Sequence, residues 1–171
     1  MSIKIHQGMF TWPHGVSENI NKDICVVDRT SKTSGRLVVV DNKGKLRYTY
    51  DGQKLNHSFY PRDVKCDKSG HVIVNDRNNI KVHILDLNGQ FIRYIADENI
   101  LKDNPICLAL DKNGILWVGG SIGNVYRLRY LNKSGGGGSS SSSGCGGGGR
   151  SSSGGGDGRS CSGGGGGSSS S

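Results

Sequence analysis

Pairs of apolar residues two positions apart recur along the first 130 residues: Ile24/Val26, Leu37/Val39, Val72/Val74, Val82/Ile84, Leu116/Val118 and Tyr126/Leu128. A period of two is that of a β-strand, whose alternate side chains share one face. Between the pairs stand turn formers, among them Asp41-Asn-Lys-Gly44 and Asp86-Leu-Asn-Gly89. Asp41, Asp67, Asp86 and Asp111 suit such turns because a carboxylate can accept nearby backbone N–H groups. Leu46-Arg-Tyr-Thr-Tyr50 and Phe91-Ile-Arg-Tyr-Ile95 read as further strands. The pattern predicts an all-β chain of short strands joined by tight turns.

The pattern also repeats as a unit. Aligned on Pro13, Pro61 and Pro105, each copy carries an aliphatic residue three positions on (Val16, Val64, Leu108) and a turn former six on (Asn19, Asp67, Asp111). Nine on come Gly70 and Gly114, with Lys22 as the exception. Eleven and thirteen on are Ile24/Val26, Val72/Val74 and Leu116/Val118, and fifteen on are Asp28, Asp76 and Gly120. Three extra residues between Arg29 and Gly35 bring Leu37/Val39, Val82/Ile84 and Tyr126/Leu128 into line. Each unit is four short strands in about 44 residues, the signature of a β-propeller blade. A β-sandwich with evenly spaced strands is the alternative, and repetition at fixed offsets argues against it.

Composition supports the class. The acids are 12 Asp against only Glu18 and Glu98, with 13 Asn and two Ala, which favours turns over helices. Val (12) and Ile (13) exceed Leu (11), as strands prefer. Residues 134–171 are 18 Gly and 15 Ser in 38 positions, a composition with too little apolar area to offset ordering, so this tail is expected to be disordered. The expected organisation is an N-terminal segment 1–11, blades over 12–131 (12–50, 60–95 and 104–131), and a low-complexity tail 132–171. No run of 18 apolar residues is present and Met1–Gln7 has no signal-like apolar core, so no membrane partner and a cytoplasmic location are expected. The sequons Asn56-His-Ser58 and Asn132-Lys-Ser134 then carry no weight.

Residues 61–76, Pro-Arg-Asp-Val-Lys-Cys-Asp-Lys-Ser-Gly-His-Val-Ile-Val-Asn-Asp, followed by Asn79-Ile-Lys-Val-His-Ile-Leu-Asp-Leu-Asn-Gly-Gln-Phe91, resemble an NHL repeat. The style is similar to the propellers at the C-terminus of the tripartite-motif (TRIM-NHL) proteins. Asp111–Gly120 with Gly123-Asn-Val-Tyr-Arg-Leu128 resembles the last blade of such a chain. The resemblance covers residues 12–131 and implies a partial propeller of about three four-stranded NHL-type blades. The family's propellers have about six, and its RING, B-box and coiled coil have no counterpart here. An open arc with unsatisfied sheet edges is expected to be marginally stable, self-associating, or both.

Catalytic and metal chemistry find no foothold in the sequence. Cys25, Cys66 and Cys107 fall at different offsets from their prolines and lack paired-ligand spacing, so they read as buried structural thiols. No turn completes a calcium loop. No G-x-S-x-G occurs, and the five His have no repeated partner. His83 alternates with Val82 and Ile84, so it faces away from that core pair. No metal and no cofactor are expected, and no enzyme activity.

Basic residues carry the functional content. The loops between second and third strands, Arg29–Arg36, Arg77–Asn79 and Ser121–Asn124, belong on one rim with the blade entries near His14, Arg62 and Asn104. The candidate ligand-binding residues are Arg29, Lys32, Arg36, Arg62, Arg77 and Asn78. The resemblance implies a substrate-recruiting module of a ubiquitin ligase, with a protein partner on this rim. The alternative is a module binding single-stranded RNA, since Arg and Lys with Asn can grip phosphate and read unstacked bases. Stacking Trp or Phe residues are missing from these loops, which weighs against RNA.

Overall fold

The computed structural model describes residues 8–131. They form eleven strands: β1 (Trp12–Glu18), β2 (Ile24–Arg29), β3 (Gly35–Val40), β4 (Leu46–Tyr50), β5 (Pro61–Cys66), β6 (Val72–Asp76), β7 (Lys81–Leu85), β8 (Phe91–Ala96), β9 (Pro105–Leu110), β10 (Ile115–Gly120) and β11 (Val125–Arg129). The strands make three antiparallel sheets in plain meander order, β1 to β4, β5 to β8 and β9 to β11. Each sheet is one repeat unit; the first two have the four strands expected of a blade, and the third has three. The fold is all-β and propeller-like. The Gly/Ser tail, with the disorder expected of it, and Met1–Gln7 lie outside the described residues.

The aligned prolines stand at the start of the first strand of every blade, first in blades two and three and second, after Trp12, in blade one. Pro13 pairs with Asp28, Pro61 with Asp76 and Pro105 with Gly120. Proline lacks an N–H, and a strand's first position tolerates that loss. A register shift follows in blades one and two, so the next paired residues are Val16 and Val64. The acids fifteen positions on then anchor the incoming chain. Asp28 Oδ1 accepts the N–H groups of Thr11 (2.7 Å) and Trp12 (2.9 Å), and Asp76 Oδ1 accepts that of Tyr60 (3.1 Å).

Two seams between blades hold the core. Cys25, Val27, Leu37, Val39, Tyr50 and Phe59 meet Val64, Val72, Val74 and Leu85 in the first. Ile73, Val82, Ile84 and Ala96 meet Leu101, Leu108, Leu116, Val118 and Tyr130 in the second. Both faces of blade two are therefore buried, which changes the reading of His83. It points away from Val82 and Ile84, yet that direction is the first seam, and the ring is fully buried.

The third copy also needs a correction. Val82 lies opposite Asn75, whereas Tyr126 lies opposite Val118, on the face of the Leu116/Val118 pair. Four residues separate Asp76 from its partner Lys81, but only three separate Gly120 from Asn124, whose carbonyl accepts the Gly120 N–H. One residue fewer in the hairpin turns every later side chain to the other face. The equivalent of Val82 is thus Val125, which is exposed, while Tyr126 and Leu128 pack into the second seam.

Candidate ligand-binding rim

The entry to blade two places Tyr60 at the centre of the rim. Its N–H is held by Asp76, and its ring is buried at 3% exposure beneath three guanidinium groups. Arg29 from the end of β2 lies 5.1 Å from the ring centroid, Arg62 from β5 lies 5.7 Å away, and Arg77 from the β6–β7 loop lies 5.9 Å away. Such distances are within cation–π range. Asn75, fully buried, accepts the backbone N–H groups of Arg62 (2.9 Å) and Asp63 (2.8 Å) and so fixes where Arg62 leaves the strand.

These three cations have no carboxylate partner among the described residues, where Arg36, Arg47 and Lys65 do. Arg29 instead meets His14 Nε2 at 3.2 Å and the Lys32 carbonyl at 3.5 Å, and its Nε is buried without a hydrogen-bond partner. Burial, then the charges of Arg29 and Arg62, push the His14 imidazole below its ordinary range. His14 is therefore neutral near pH 7, with Nε2 free to accept from Arg29.

Of the six expected residues, Arg29, Arg62 and Arg77 come together. Lys32 is exposed beside them on the β2–β3 loop. Arg36 turns away: its Nε meets the buried Asp28 at 3.1 Å, and its Nη2 donates to the Met9 carbonyl at 3.0 Å. Asn78 serves as a tie, its amide donating to the carbonyls of Thr33 (2.9 Å) and Ser58 (3.0 Å). Beside it, Thr33, His57, Ser58, Asn78 and Asn104 line a recess of about 410 Å³.

Two aromatic residues escaped the sequence reading. Trp12, 54% exposed, pairs directly with Arg29 in the β1–β2 ladder, which puts an open indole on the same rim. Tyr60 stacks the guanidiniums. Each immediately precedes an aligned proline, the place Asn104 takes in the third unit. The aromatics missing from the loops are supplied by the blade entries. Cys107 departs from expectation as well: it is exposed, whereas Cys25 is buried and Cys66 half-buried.

No family model matches the chain. Protein brain tumor of Drosophila melanogaster is 30% identical over 114 residues, which is 64% of this chain and 10% of that protein. The chain thus spans about a tenth of the length of this curated relative. A streptogramin B lyase structure superposes with a TM-score of 0.52 at 16% identity, covering 71% of this chain and 41% of the lyase. Virginiamycin B lyase from Staphylococcus aureus gives 0.51 at 15% identity, covering 68% and 41%. At such identities the lyases speak for the fold alone.

Proposed function

Because the chain is built of NHL-type β-propeller blades, we propose that it is a non-catalytic recognition module whose ligand meets the rim around Tyr60. The carrying observation is the convergence of Arg29, Arg62 and Arg77 on one ring with no carboxylate partner among the described residues. Like charges gathered this way raise the local potential and favour an anionic ligand. Phosphates suit guanidinium forks, and the exposed Trp12 beside Arg29 offers a face on which a base can stack. Single-stranded RNA is the reading that uses both features. A protein partner, the other expectation, is served by the cations if it presents an acidic segment, but leaves Trp12 without a role.

The test is a salt titration with a random RNA pool. Arg29→Ala, Arg62→Ala and Arg77→Ala combined should weaken binding and lower the slope of log affinity on log salt by up to about three, one for each phosphate that is no longer gripped. Trp12→Ala should weaken binding with the salt slope unchanged, because stacking releases no counterions. Combined substitution of Lys43, Lys68 and Lys112, which sit in the turns of the opposite rim, should leave affinity unchanged. Equal losses from both sets of cations would mean diffuse electrostatics, and no RNA affinity in the parent protein would leave the acidic protein partner.

A further inference from the structure

Cys25 and Cys66 lie 41 residues apart in sequence and belong to different blades, yet their sulfurs stand 3.6 Å from each other in the first seam. Cys25, in β2, is completely buried. Cys66, at the end of β5, is half-buried, and its backbone N–H donates to Ser17 Oγ of β1 at 3.2 Å. A disulfide needs sulfurs about 2.05 Å apart. Closing the remaining gap requires the two side chains to rotate toward each other about their Cα–Cβ bonds. The third described cysteine, Cys107, sits exposed on blade three.

We propose that Cys25 and Cys66 form an oxidisable pair that closes into a disulfide between the first and second blades when a hydroperoxide reaches Cys66. The roles follow from placement. Cys25 is sealed in apolar surroundings, and the neighbouring Cys66 sulfur, then burial, push its thiol up. Cys66 is the more open of the two and so the one that meets the peroxide as a thiolate; the neighbouring Cys25 sulfur pushes its thiol down, against burial, with help from the Ser17 hydroxyl and the Lys65 charge. That thiolate attacks the peroxide, forming an S–O bond and breaking O–O, which leaves Cys66 as a sulfenic acid and releases hydroxide or alkoxide. The Cys25 sulfur then attacks the Cys66 sulfur. The S–S bond forms, the S–O bond breaks, and the Cys25 proton leaves with the hydroxyl as water. Two electrons pass from the thiols to the peroxide, which is reduced to water or an alcohol.

The bridge is well placed to matter. Arg29 lies four residues beyond Cys25 in β2, and Arg62 four residues before Cys66 in β5. A bond between the two thiols would therefore pin the two strands that carry the rim cations, about 13 Å away along the sheet. This consequence rests on the rim being the ligand site; bridge formation itself does not.

The experiment uses the full chain with Cys107, Cys145 and Cys161 changed to Ser, exposed to hydrogen peroxide in its native state. Mass spectrometry should find the loss of two hydrogens and, after trypsin, the peptide 23–29 joined to the peptide 66–68, both reversed by a dithiol. Closure should run at least about tenfold faster than in the urea-unfolded chain, because the fold supplies the proximity. Cys25→Ser should instead stop at a sulfenic acid on Cys66 that a cyclic dione traps. Equal closure rates folded and unfolded, or Cys66 passing to its sulfinic acid without bridging, would overturn the proposal. The readout is mass alone, so an absent bridge and an absent rim ligand are told apart. In the unsubstituted chain the same peptide pair should dominate the linked products.

Discussion

A histidine ringed by aromatic side chains is costly to charge. His83 lies 4.9–5.9 Å, centroid to centroid, from Tyr50, Phe59, Phe91 and Tyr94. Gln53 donates to the Tyr50 hydroxyl at 3.2 Å, and that hydroxyl shares a 2.8 Å hydrogen bond with His83 Nδ1. Among the described residues Nε2 has no hydrogen-bond partner, and Asp76 Oδ2 lies 3.8 Å away. Burial, helped by the charge of Lys81, pushes the imidazole down from 6.5 to about 3. The unfolded chain therefore takes up a proton near pH 6.5 that the folded chain refuses until near pH 3, so stability is lost as pH falls through this window, at about 1.4 kcal/mol per unit. Burial raises the Asp76 carboxyl, which works the other way at the acid end, because the folded state then binds that proton more readily. Urea melts at pH 7 and pH 4.5 should show the loss. His83→Phe should be weaker at pH 7 by about 1 kcal/mol, for the missing Tyr50 bond, but should lose much less on acidification. An unchanged pH dependence in that variant would place the sensitivity elsewhere.

At the scale of the element, the turns were legible in the sequence and their geometry explains why. Asp41, Asp67, Asp86 and Asp111 each accept, through Oδ1, the N–H groups two and four residues on, at 2.8–2.9 Å. The glycine three residues on has positive φ in every case, from 75° to 91°. Asn19 makes the same two bonds, but Lys22 occupies the glycine position with φ 66°. A side chain there costs about 1 kcal/mol or more, so Lys22→Gly should stabilise by up to about 1 kcal/mol in thermal melts, less the small surface pairing with Glu18. Gly70→Ala should destabilise, since its φ is 91° and a Cβ would press on Leu87 at 3.1 Å. The hairpin of blade three was not legible. Alternation shows that residues share a face but not which face, and one residue fewer between β10 and β11 reversed it. The candidate site was legible in three of its cations and not in its aromatics: nothing in the spacing of Trp12 and Tyr60 shows that entry bonds from Asp28 and Asp76 hold them on the rim.

Across the whole molecule, the repeat makes one face comparable with another. The position twelve residues after each aligned proline is Cys25, Ile73 or Trp117, and the third-strand residue opposite the position fourteen on is Leu37, Val82 or Val125. In blades one and two these four side chains are fully buried, each pair against the blade that follows. In blade three the same two positions are open, Trp117 at 38% and Val125 at 69% exposure, with the exposed Cys107 and Ala109 on the same face. Arg127 lies over the Trp117 ring at 5.9 Å, which covers part of the indole and leaves the rest to solvent. A sheet face whose counterparts are seam core is built to be covered, and in water an exposed patch of this kind favours association. Sedimentation velocity over a range of concentrations should therefore show the chain's mean sedimentation coefficient rising with concentration. Trp117→Lys combined with Val125→Lys should hold it at the monomer value, while Lys43→Ala, far from this face in the β3–β4 turn, should not. A coefficient that stays constant with concentration in the unsubstituted chain would show that this face does not drive self-association.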